Sequence, residues 1–62
     1  TRRAEQAARD AERLELQADD LKKRGQKRLA MAFYRRIESE YPQTEAAKRA
    51  QKAIEEMTAG GE

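Results

Sequence analysis

Apolar residues recur three and four positions apart in three stretches of this chain, and nowhere in strict alternation. The first stretch carries Ala4, Ala7, Ala8, Ala11, Leu14, Ala18 and Leu21, which fall on one stripe of a helix over about residues 3–24. The second carries Ala30, Phe33, Tyr34, Ile37 and Tyr41, with Leu29 at its flank, and predicts a helix over residues 27–40. The third places Ala46, Ala47, Ala50, Ala53, Ile54 and Met57 on one side of a helix over residues 45–57. With no period-two segment, no strand is expected. The pattern therefore predicts an all-α fold of three helices.

The breaks between the stretches have chemical causes. Lys22, Lys23 and Arg24 suit the negative end of a helix dipole, and Gly25 can take the left-handed conformation that closes a helix. The connection through Gly25 and Gln26 is short, so the first two helices should be antiparallel neighbours. Pro42 disfavours helical geometry at Tyr41 and ends the second helix. Thr44 is a good N-cap, and Glu45 sits well in the first turn after it. Residues 58–62, which include Gly60 and Gly61, read as a disordered tail. Four acid-then-base pairs stand at i,i+4: Glu5 with Arg9, Asp19 with Lys23, Asp20 with Arg24, and Glu45 with Arg49.

Composition narrows the function. Charged residues make up 42% of the 62, yet the net charge is only +2, with 14 basic and 12 acidic side chains interspersed. That is the surface of a solvated helical protein rather than a nucleic-acid footprint. The large apolar residues are few, and the first half of the long first helix offers only alanine to a partner. Marginal stability alone is expected, with help from neighbouring repeats or self-association. No apolar run approaches the length of a membrane span. The chain opens on Thr1 rather than Met, which fits a piece of a longer protein, either a single small domain or part of a repeat array.

Little here could support catalysis. The chain has no His and no Cys, so the common base–nucleophile pairs and zinc sites are missing. Ser39 lies off the apolar stripe of its helix. The carboxylate neighbours Asp19 and Asp20, and Glu55 and Glu56, are adjacent, and adjacent helix residues do not converge on one point. There is no glycine-rich phosphate loop. No enzyme activity, metal or cofactor is expected.

Residues 11–44 resemble a tetratricopeptide repeat. With Pro42 as the late proline, Leu14, Ala18 and Leu21 fall on the signature of its first helix, and Ala30 and Tyr34 on that of its second. Gly25 lands between them, Ile37 stands where a small residue is commoner, and Gln17 departs from the expected apolar residue. Residues 45–57 fit either the start of a following unit, after a one-residue shift, or a capping helix. Within the family, the phrase running from Ala30 through Tyr34, Ile37, Tyr41, Pro42 and Thr44 to Ala50 is similar to repeats of bacterial envelope proteins. Those include the periplasmic coordinator of the Tol-Pal system and the lipoprotein of the outer-membrane β-barrel assembly machine. A bacterial envelope setting is what that resemblance implies; nothing else in the sequence points to a compartment.

The resemblance also implies a scaffold that binds a protein or peptide partner on the face of the first helix. The matching positions are Glu12, Glu15, Asp19, Lys22 and Lys23. They would form a polar groove, with Lys22 and Lys23 clamping a carboxylate. The plainer reading is a solvated helix face, with both lysines serving the helix dipole. Two alternatives remain. The seven-residue spacing of Ala4, Ala11, Ala18 and Gly25, and of Ala7, Leu14 and Leu21, could seam copies into a homo-oligomer, although small residues make a poor seam. Lys22, Lys23, Arg24, Lys27 and Arg28 could instead contact nucleic acid or an anionic surface, with Phe33 and Tyr34 stacking. The spacing of those two aromatics with Ala30 and Ile37 marks them as core residues, and Arg35 and Arg36 as the solvent face.

Overall fold

The computed structural model describes residues 2–59, which fold as three helices: α1 Arg2–Lys23, α2 Lys27–Glu40 and α3 Glu45–Ala59. Among the described residues there is no strand. The elements are those expected from the apolar spacing, with shifted ends. Arg24 lies outside α1 although its N–H still bonds to the Asp20 carbonyl at 3.0 Å. The reason is Gly25, whose φ of +85° turns the chain away at the next residue. The Gln26 N–H reaches back to the Leu21 carbonyl at 2.9 Å and the Gly25 N–H to Lys22 at 3.1 Å, the Schellman pattern. α3 runs two residues past Met57, so Thr58 and Ala59 are helical rather than part of a disordered tail. No breaker precedes Gly60. The rest of the expected tail, residues 60–62, lies outside the described residues.

The second connection is closed by its own side chains. Tyr41 leaves helical geometry ahead of Pro42, at φ −132° and ψ 55°, while its N–H keeps the bond to Ile37. Thr44 then accepts the Ala47 N–H on its Oγ1 at 3.1 Å and donates that hydroxyl to the Tyr41 carbonyl at 2.8 Å. One threonine thus caps α3 and ties its start to the end of α2.

The core is built mostly of alanine. Ala11 and Ala18 of α1, Ala30 of α2, and Ala46, Ala47 and Ala50 of α3 are buried, together with Tyr34 and Ile37. Side chains this small let three helices approach closely, and the two large ones fill the space at the centre. Leu14, Leu21, Phe33, Tyr41, Ala53, Ile54 and Met57 pack half-buried around them. Ala11 and Ala18 are consumed by this intrachain packing, so they do not form a seam between copies. α1 has 22 residues against 14 in α2, and its first turns project about 12 Å further. Ala4, placed on the buried stripe by its spacing, is exposed because no helix lies opposite that overhang.

Candidate functional site

The five charged positions expected to form a partner-binding face on α1 divide into two groups. Glu12, Lys22 and Lys23 are exposed. Glu15 and Asp19 are half-buried and already have partners within the chain. The Arg49 guanidinium on α3 donates through Nε to Glu15 Oε2 at 2.7 Å and through Nη2 to Oε1 at 2.9 Å. The two bonds and the nearby negative charge push the Arg49 pKa further up. The Tyr34 hydroxyl on α2 donates to Asp19 Oδ1. Burial of the phenol raises its pKa, and the hydrogen bond and charge of Asp19 raise it further. The middle of the α1 face therefore joins the three helices to one another, and only its two ends are open.

These pairings replace two of the expected helix-surface pairs. Asp19 turns to Tyr34 rather than Lys23, and Arg49 crosses to Glu15 while Glu45 meets Lys48 at 3.6 Å. Asp20 and Arg24 pair at 3.0 Å as expected, whereas Glu5 and Arg9 do not come within 4.0 Å. Nothing local in the sequence marks Arg49 as the partner of Glu15, a contact across 34 positions.

Two further surfaces are open. The first is the flank of the α1–α2 hairpin that faces away from α3. Glu15 reaches α3 from one side of the buried stripe of α1, and Leu14 and Leu21 lie on the other side. On α2, Met31 and Glu38 share depressions with α3 residues, so Phe33 and Leu29 fall on the opposite flank. Leu14, Leu21 and Phe33 are only half-buried there, and Leu29 is 50% exposed. The second is the bundle end where Lys22, Lys27, Arg28, Met31 and Met57 converge. Tyr34 is buried and Phe33 half-buried, so neither ring stands out beside the basic residues as a stacking platform.

Among the described residues, no group of His, Cys, Asp or Glu side chains is arranged to hold a metal ion. No described helix is long and apolar enough to cross a membrane. The chain matches no family model, and no curated protein or solved structure is significantly similar to it.

Proposed function

We propose that this chain is a non-enzymatic protein-interaction and assembly unit, a tetratricopeptide-like hairpin over residues 11–44 followed by a packing helix. Its mechanism is shape and charge complementarity on helix faces, with no bond-making step. The observation that carries this reading is the open hairpin flank. Leu14, Leu21 and Phe33 are only half-buried, and Leu29 beside them is exposed. Adding another helical element there would bury this edge, as stacked repeats do for one another. The internal pairs Glu15–Arg49 and Asp19–Tyr34 hold the helix faces in fixed relative positions, so the flank is offered as a preformed surface. The envelope setting belongs to the same proposal and rests on the phrase from Ala30 to Ala50 alone.

Photo-crosslinking tests the reading. A photoreactive amino acid at Leu29 should give a discrete protein adduct in extracts of the cell of origin, and the same group at exposed Arg35 should not. An adduct between two copies of this chain would favour homo-oligomerisation instead. Equal labelling from both positions, or none from Leu29, would remove the flank as a docking surface.

A further inference from the structure

Three helix ends meet at one end of the bundle. Lys22 stands in the last turn of α1, Lys27 and Arg28 in the first turn of α2, and Met57 near the end of α3. Lys27, Arg28, Met31 and Met57 line one open depression, and Lys22, Lys27, Glu56 and Met57 line another. The two share Lys27 and Met57, so they form one continuous surface, separate from the hairpin flank. Its floor is two half-buried thioether side chains, which are polarisable and adapt to irregular apolar shapes. Its charged lining is Lys22, Lys27 and Arg28 against one carboxylate, Glu56, so the surface is net positive. Lys22, Lys27 and Arg28 are exposed, and among the described residues none has a carboxylate within 4.0 Å. Nearby Arg24 is already paired with Asp20.

Two of these charges work against the helix that carries them. Lys27 and Arg28 lie at the positive end of the α2 dipole, where cations are disfavoured. The first turn has no acidic residue, and Gln26 makes no side-chain capping bond. The fold thus leaves Lys27 and Arg28 without an ion-pair partner among the described residues, next to apolar surface. A ligand that brings negative charge to the rim and an apolar group to the floor would satisfy both. A nucleic acid would supply charge but no aliphatic side chain for the methionines. A flat lipid surface would meet the lysines before the recessed floor.

We propose that this end of the bundle binds an acidic amphipathic peptide segment of a protein partner. Its aliphatic or aromatic side chain rests between Met31 and Met57, and its carboxylates pair with Lys22, Lys27 and Arg28.

The chain has two methionines, so methyl-labelling with carbon-13 gives one reporter on each side of the floor. The probe is a synthetic peptide with Leu and Phe at helical spacing among Glu and Asp. Polyglutamate, vesicles of phosphatidylserine and phosphatidylcholine, and duplex DNA serve as comparisons. The proposal expects both methyl signals to move saturably with the peptide and an affinity that weakens as salt rises. The K27E/R28E variant should bind about tenfold or more weakly, as expected when rim charges are reversed. That variant should keep its fold, because acidic residues suit the start of a helix. The flank variant L29Q should bind as the parent does, which separates this site from the flank reading. Failure of the peptide to move either methyl would overturn the proposal. Equal shifts with polyglutamate, shifts with vesicles or DNA alone, or unchanged binding by K27E/R28E would overturn it as well.

Discussion

Arg49 grips both carboxylate oxygens of Glu15, at 2.7 and 2.9 Å, and so fastens α3 to α1 across 34 positions of sequence. The Glu15 side chain is only 16% exposed, so the pair is shielded more than the surface pairs Asp20–Arg24 and Glu45–Lys48. Its bidentate geometry is also the arrangement in which arginine is most effective. Glu15→Ala and Arg49→Ala should each lower Tm by a few degrees. Their double variant should cost less than the sum, and the coupling should shrink in high salt. Thermal melts of the four proteins at two salt concentrations check this. Purely additive effects would show that the pair contributes nothing.

Tyr34 should make the fold sensitive to alkali. Its folded-state pKa is raised above the ordinary value of 10.0, so its contribution is fully present below pH 10. It is then lost as pH rises toward the folded-state pKa. Tyr34→Phe keeps the buried ring but leaves half-buried Asp19 without its donor, at a cost of about 1–3 kcal/mol near neutral pH. Urea midpoints measured from neutral pH upward should show the parent losing its advantage over Tyr34→Phe above pH 10. A constant gap between the two would count against the role assigned to this hydroxyl.

Alanine size matters where three helices meet and not where one helix overhangs. Ala18 is fully buried and Ala4 is exposed. Ala18→Leu should destabilise by about 1–3 kcal/mol or more, because the neighbouring helices must move apart. Ala4→Leu should change stability by less than about 0.5 kcal/mol. Chemical denaturation of the two variants tests the packing. Comparable losses would mean that α1 is supported along its whole length.

Gly25 is required for its backbone conformation and not for space. A Cβ there would meet nothing within 4 Å, but φ is +85°. Gly25→Ala should therefore cost about 1–2 kcal/mol. D-alanine at the same position, introduced by chemical synthesis, should be neutral or stabilising, because its mirror-image preference matches the required φ. Equal destabilisation by both would point to contacts rather than conformation.

The three helices and their breaks were legible because each depends on residues within about five positions. Ala30, Tyr34 and Ile37 mark a stripe by spacing alone, and Gly25, Pro42 and Thr44 act on the backbone beside them. The exposure of Ala4 was not legible, because periodicity says which side of a helix is apolar and not how far a partner extends. The polar face of α1 was harder still. Glu12, Glu15 and Asp19 are all acidic residues on one helix, yet Glu12 is exposed while the other two are tied to α3 and α2.

Three helices, their apolar stripes and the turns between them are written in short stretches of the chain. Local hydrogen bonding and side-chain spacing specify those features without any distant contact. That Arg49 meets Glu15, that Tyr34 meets Asp19, and that Lys22, Lys27 and Met57 share one surface follows only from the packing of the helices on one another. Those meetings depend on how each helix is rotated and how far it slides along its neighbours. The packing of the whole alanine core sets both, and no short stretch of sequence contains that information.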